Sequence, residues 1–242
     1  MRIVSWNIRA GGGARVPALL VALARWRPEV VALSEFRATR GSAELARVLA
    51  TRGLRYQCAT CSAAAPAANA LLLASRWPLR PLALAGAPVE PGRWLAAAVD
   101  APRPLALGLM HAPNRVTGRK YGFLDAVLHL ATRWRHGPSV LLGDTNSGCR
   151  GLDEETACFN AREEGWITAL GAAGWTDAFR HLHGERRAYT WYSPNGGNGF
   201  RIDQAFVHRS LLPNLVAARH VWGGGIRRRR PSDHAALLLD LG

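Results

Sequence analysis

Short apolar runs that end in a polar residue recur along the whole chain, and they limit the folds open to it. Residues 2–8 (RIVSWNI) reach Asn7, "EVVALSEF" (29–36) reaches Glu35, a run over 104–111 reaches His111, and "SVLLGD" (139–144) reaches Asp144. Asp203 sits inside "FRIDQAFV" (200–207), and Asp233-His234 open the last run, 234–240. Runs of this length read as strands, and further strands are expected near 55–60, 69–75, 80–85, 93–100, 188–192 and 216–222. Helical spacing appears at 14–26, which stops before Pro28, and at 42–52, about 119–135 and about 160–173. Many strands with interspersed helices predict two sheets packed face to face with helices outside, in one α/β domain over residues 1–242.

Composition narrows the setting. No repeat of solenoid period and no Gly/Ser or Pro linker divides the 242 residues. The glycine clusters at 10–14, 195–199 and 223–225 read as surface loops, and none has the Gly-Lys-Ser/Thr context of a phosphate loop. No apolar run approaches membrane-spanning length, so no membrane partner is expected. The N-terminus reads as a strand rather than a signal peptide, which gives a cytoplasmic location as the expectation. A net charge of +14 points to an anionic partner, nucleic acid first. Lys120 is the only lysine, as a GC-rich coding sequence favours, but such bias does not explain the excess of base over acid. Cys58, Cys61, Cys149 and Cys158 are expected as reduced thiols, with a zinc site or a Cys149–Cys158 bridge as alternatives.

The polar strand ends carry the chemistry. A buried unpaired carboxylate is costly, so each tip needs a reason to be there. If the ends converge, Glu35, Asp144, Asp203 and Asp233 share one site, which protons, a metal or cationic partners must neutralise. Oxygen ligands with amide support from Asn7 and Asn146 suit Mg²⁺ or Mn²⁺ rather than zinc. His111 and His234 among the carboxylates can stabilise charge on a phosphate or move a proton. Each residue alone has a plain structural explanation: Asn7 or Asp144 as a cap, Asp203 paired with Arg201, His111 as a core histidine. The recurrence at many strand ends favours the shared site.

At these residues the sequence resembles the endonuclease/exonuclease/phosphatase superfamily, and within it the exonuclease III-like, abasic-site endonuclease branch. The matching stretches are "IVSWNIR" (3–9), "PEVVALSEFR" (28–37), "HAPN" (111–114), "LLGDTNSG" (141–148), "FRIDQAFV" (200–207) and "PSDHAALLLDL" (231–241). The resemblance implies a four-layer α/β sandwich of the DNase I-like fold and metal-dependent phosphodiester hydrolysis. It implies Glu35 as principal metal ligand with Asn7 and Asp233 close by, and Asp144 as the base that deprotonates water. It further implies Asn146 holding a phosphate oxygen, and Asp203 orienting His234 against the scissile phosphate. His111 stands where the exonuclease III-like branch has Tyr; other branches place there a histidine that protonates the leaving oxygen. "NALLLASRWP" (69–78) also resembles a segment of those broader branches.

DNA is therefore the expected partner, with RNA as a second possibility and a monomer as the expected state. The expected activity is a Mg²⁺- or Mn²⁺-dependent nuclease, an abasic-site endonuclease with 3′→5′ exonuclease activity in DNA repair. Two alternatives stay open: a phosphodiesterase or phosphatase for RNA, small nucleotides, inositol or lipid phosphates, and an inactive nucleic-acid-binding module. Trp191 is read either as an aromatic against an extruded sugar or base or as a core residue. Arg9, Arg37, Arg76, Arg115 and Arg119 are read either as a phosphate track or as solvated charge. Arg227, Arg228, Arg229 and Arg230 precede the last motif and have the same two readings.

Overall fold

The computed structural model describes residues 1–224 and 230–242. The chain opens with β1 (Arg2–Asn7), α1 (Val16–Trp26), β2 (Val30–Phe36), α2 (Arg40–Thr51), β3 (Tyr56–Ala59) and β4 (Ala70–Ser75). β5 (Leu79–Pro81), β6 (Trp94–Val99), β7 (Leu105–His111), α3 (Lys120–Thr132), β8 (Ser139–Asp144), α4 (Ala161–Ala172), β9 (Trp175–Asp177) and α5 (Ala178–His183) follow. β10 (Trp191–Tyr192) and β11 (Gly199–Phe200) form a small ribbon before β12 (Asp203–His208), β13 (Leu215–Val221) and β14 (Ala236–Leu241). One six-stranded sheet has the order β13-β14-β1-β2-β4-β3, the other β5-β6-β7-β8-β12-β9. Both are mixed: β1–β2 and β7–β8 are parallel, and the remaining neighbours antiparallel.

Strand alternation builds the layers. Ile3, Val30, Ala32, Leu71 and Leu73 of the first sheet meet Leu107, Leu109, Val140, Leu142 and Val207 of the second in a central core. The intervening residues point outward. Val4, Val31, Leu33 and Leu238 pack under Leu19, Leu23, Leu45 and Leu49 of α1 and α2. Ala106, Met110, Leu141 and Phe206 pack under Phe123, Val127, Trp166 and Leu170 of α3 and α4. Strands covered on both faces explain why the apolar runs are unbroken rather than alternating. This is the expected four-layer α/β sandwich. Truncating a residue such as Leu142 to Ala costs about 2–5 kcal/mol in such a core.

Local signals set the helix ends. Proline lies in the first turn of α1, which closes on left-handed Arg27 (φ 51°) before Pro28. α4 starts at a capping box in which Asn160 accepts from the Glu163 backbone and Glu163 returns the bond. Three expectations needed correction. The strand expected at 80–85 is only Leu79–Pro81, and that at 188–192 only Trp191–Tyr192; β9, α5 and β11 are additional. The Asp203–Arg201 pairing does not form, because Arg201 is buried between Asp153 and Asp177. All four cysteines are free thiols. No helix is long and apolar enough to cross a membrane among the described residues.

Candidate active site

Strand direction gathers the polar tips at one edge. Asn7 and Glu35 lie at the carboxyl ends of the parallel pair β1–β2, and His111 and Asp144 at the carboxyl ends of β7–β8, where they are register partners. β12 runs antiparallel, so it begins at this edge and sets Asp203 opposite Asp144. His234 stands just before β14 and bridges to Trp191. Gly143 makes the β7–β8 approach possible: a Cβ there would stand 1.9 Å from the Met110 carbonyl oxygen. The tips open on a cleft of about 300 Å³ lined by Glu35, His111, Asp144, Asn146, Asp233 and His234.

Hydrogen bonds fix this constellation. Asp144 Oδ1 accepts from the Asn146 backbone at 3.0 Å, and its Oδ2 accepts from Asn7 Nδ2, also at 3.0 Å. Asn146 Nδ2 donates to the Ala112 carbonyl at 2.8 Å, joining the loops after β7 and β8. Glu35 Oε2 accepts from the Ala10 backbone at 2.7 Å. Glu35 (φ 56°) and Asn146 (φ 48°) both occupy the left-handed region. For each such residue the strain is on the order of 1–3 kcal/mol. At Glu35 it accompanies an irregularity in the β2–β4 pairing between Ser34 and Phe36. The His234 loop is tied down by Trp6 Nε1 donating to the His234 carbonyl (2.9 Å) and Ser232 Oγ donating to the Asn7 carbonyl (2.6 Å).

The two histidines are electrostatically unlike. Burial would lower His234, but the Asp203 carboxylate, 2.9 Å from Nδ1, together with Asp144 and Asp233, outweighs it and raises the imidazole to about 9. His234 is therefore an imidazolium at neutral pH, with Nε2 4.0 Å from Asp144 Oδ2. Burial lowers His111 to about 4, against the pull of Asp144, with Arg93 and His234 adding to the depression. His111 is thus neutral, and its 3.7 Å contact with Asp144 is beyond hydrogen-bond range. Its Nδ1 has no hydrogen-bond partner. In the neutral state His111 offers a hydrogen bond from its ring N–H rather than an excess proton. Asp144 is raised by burial, an effect that Asp203 reinforces and His234 opposes.

The donor set fits a hard divalent cation. Glu35 Oε1 and Asp144 Oδ2 both approach the single amide nitrogen of Asn7, at 3.4 and 3.0 Å, and Asp233 stands at the rim. Carboxylate and amide oxygens of this kind suit Mg²⁺ or Mn²⁺. Asp144, Asp203 and His234 also offer ligand atoms within 4.8 Å of one another. In that group Asp203 and His234 are already paired with one another, Oδ2 to Nδ1 at 2.9 Å.

The arginines separate. Arg9 lies 3.8 Å from Asp233, and Arg37 donates to Asn69, a cleft residue, at 2.8 Å. Arg115 donates to the Cys158 carbonyl at 2.8 Å, beside Glu163. Arg119 is exposed. Arg76 is at the wrong end for a phosphate track: β4 is antiparallel to β2, so Ser75 pairs with Val30, far along the strand from Glu35. Arg227, Arg228 and Arg229 lie outside the described residues, and Arg230 stacks over Trp222 at 3.9 Å. Trp191 is half-buried and forms a cleft wall, 6.2 Å from the His234 ring and 5.9 Å from Phe200. Sequence reasoning missed Asn69, Arg93 and Asn114, which also line the cleft. Asn69 and Asn114 fall within motifs that were legible, whereas Arg93 carries no local signal.

Known proteins resemble the chain in sequence and in fold. An exodeoxyribonuclease of Streptococcus pneumoniae (serotype 4, strain ATCC BAA-334 / TIGR4) is 27% identical over 127 residues, covering 47% of this chain and 44% of that protein. The match thus spans less than half the length of this curated relative. The 3′-5′ exonuclease NExo from Neisseria meningitidis superposes with a TM-score of 0.82 at 24% identity, covering 100% of this chain and 99% of that one. An AP endonuclease from Archaeoglobus fulgidus superposes with a TM-score of 0.79 at 18% identity, with the same coverage. These structures share the fold. The sequence pattern of the Endonuclease/Exonuclease/phosphatase family matches residues 4–234, almost the whole chain, and the protein belongs to that family.

Proposed function

We propose that the protein is a Mg²⁺- or Mn²⁺-dependent phosphodiester hydrolase acting on DNA, of the exonuclease III-like branch. In this reading it is an abasic-site endonuclease with 3′→5′ exonuclease activity in repair. The observation that carries the reading is the Asp203–His234 pair facing Asp144 across one cleft, with Glu35 and Asn7 beside them. DNA as substrate draws on the name of the streptococcal relative and on the net charge of +14.

Glu35, with Asn7 and Asp233 close by, would hold the cation, which when bound neutralises charge developing on the phosphate. Asp144, raised by burial and fixed by Asn7 and the Asn146 backbone, takes a proton from the attacking water. His234, charged through Asp203, donates from Nε2 to a non-bridging phosphate oxygen. Asn146 uses one amide hydrogen on Ala112 and has the second for a phosphate oxygen. Neutral His111 donates a hydrogen bond toward the leaving oxygen. The half-buried Trp191 packs against the extruded sugar.

The test offers the purified protein abasic, nicked, duplex and single-stranded DNA, and RNA, with Mg²⁺ and with Mn²⁺. Incision at the abasic site and stepwise 3′ shortening support the reading; no cleavage of any DNA with either metal overturns it. The alternative of a small-phosphate hydrolase rests on His111 and on the segment 69–78, of which Asn69 lines the cleft and Arg76 does not; the high basic charge speaks against it.

A further inference from the structure

Thr190 is fully buried, one residue before the Trp191 cleft wall, and the proposed chemistry gives it no task. β9 covers β12 only from Phe206 onward, so the start of β12, where Asp203 stands, has no neighbouring strand on that side. Buried backbone donors left unmet are costly. The Thr190 hydroxyl meets two of them: Oγ1 accepts from the Ile202 amide at 3.0 Å and from the Asp203 amide at 3.2 Å. The Thr190 carbonyl accepts from the Ala235 amide, next to His234, at 2.7 Å.

These bonds reach both halves of the pair at the centre of the cleft. Asp203 and His234 lie 31 residues apart in sequence, and their side chains meet at 2.9 Å. The hydroxyl of Thr190 holds the main chain of one, and its carbonyl holds the residue after the other. The Asp203 carbonyl is met from the opposite sheet, where His220 of β13 donates to it from Nε2 at 3.0 Å. A carbonyl only accepts, so Nε2 carries the ring proton. Burial, with Arg201 adding to it, lowers His220 to about 3, and Nδ1 has no partner, so the ring is neutral. Neither Thr190 nor His220 lines the cleft.

We propose that Thr190 is a positioning residue that sets the Asp203–His234 contact through the main chain, with His220 as a second hold on Asp203. The proposal rests on the phosphodiester-hydrolase reading for the step that this contact serves. A displacement of about 1 Å in such a pair lowers the rate about 10²-fold. Substrate does not touch these bonds, so Thr190 bears on kcat rather than on KM.

The experiment separates the hydroxyl from the packing. Thr190→Val keeps the shape of the side chain and removes the hydroxyl; Thr190→Ser keeps the hydroxyl and removes a methyl group. Cleavage of a duplex with one abasic site is measured with Mg²⁺, well below the melting temperature of each protein. Thr190→Val should lower kcat about 10–10²-fold with KM within about threefold of wild type, and Thr190→Ser should keep kcat within about threefold. In Asp203→Asn protein, adding Thr190→Val should change kcat by less than about twofold, because the hold acts through that carboxylate. NMR at neutral pH in chelator reads the contact without turnover. The His234 Nδ1–H signal, sheltered by Asp203, should be present in wild type and Thr190→Ser and lost or displaced in Thr190→Val. If Thr190→Val does not fold, His220→Leu against His220→Gln, which keeps a donor, makes the same comparison at the Asp203 carbonyl.

A merely structural role predicts that rates follow stability: Thr190→Ser as slow as Thr190→Val, or the same Thr190→Val loss in wild-type and Asp203→Asn backgrounds. Either result overturns the assignment. A wild-type protein that cuts no DNA with either metal overturns the nuclease reading and leaves the His234 signal to judge Thr190. A signal unchanged in Thr190→Val overturns the positioning role whatever the activity.

Discussion

Asp203 Oδ2 lies 2.9 Å from Nδ1 of His234, while the strand partner of Asp203, Asp144, faces the other ring nitrogen at 4.0 Å. Asp203, helped by Asp144 and Asp233, holds the ring charged, and in the proposed reading Asp144 is the base. The pair also couples folding to pH. The imidazole is raised from 6.5 to about 9, so its stabilisation is complete below pH 6.5 and is lost as pH rises through about 9. In chelator, the melting temperature of the wild type should fall across that window. Asp203→Asn should be less stable at neutral pH and lose this alkaline dependence; an unchanged profile in the variant contradicts the pairing.

Gly143 is a backbone requirement. A Cβ at this position meets the Met110 carbonyl oxygen at 1.9 Å, with backbone on both sides of the contact. Gly143→Ala must therefore push β8 from β7 and part His111 from Asp144. We expect a loss of at least about 3 kcal/mol, roughly 6–12 °C in Tm for a chain of this size. Calorimetry showing a wild-type Tm would refute the close approach.

Lys120, the only lysine, is buried and donates to both Glu163 and the carbonyl of strained Asn146. Lys120→Met leaves the Glu163 carboxylate buried without its closest cation, a cost of about 3–5 kcal/mol. Lys120→Met with Glu163→Gln should restore most of the stability but not the hold on Asn146. Denaturant melts of the three proteins check this, and equal losses in the single and double variants would contradict it.

The layers and the polar tips were legible in the sequence because each is a local signal: an apolar run, then a residue that should not be buried. Long-range direction was not. Arg76 follows β4 and Arg93 precedes β6, and both strands run antiparallel to the site-bearing neighbours β2 and β7. The arginine that comes before its strand therefore reaches the cleft, and the one that comes after does not. β9 and α5 were invisible for a different reason. They are three and six residues long, too short for a periodic apolar stripe to show, although Trp175, Ala178 and Phe179 are buried and Arg201 pairs with Asp153 and Asp177 beside them. His111 was legible as a site residue, but its neutral state depends on burial and on Arg93, which only the fold brings together.

Asp144 is the centre of the proposed chemistry, so its replacement is the most direct test. Purified wild type and Asp144→Asn are given an end-labelled duplex with one abasic site, with Mg²⁺ and again with excess chelator. The account predicts phosphodiester cleavage by the wild type that chelator abolishes, and a rate about 10²–10⁴-fold lower for Asp144→Asn with DNA binding retained. Cleavage that survives the chelator, or an Asp144→Asn rate equal to wild type, would contradict it.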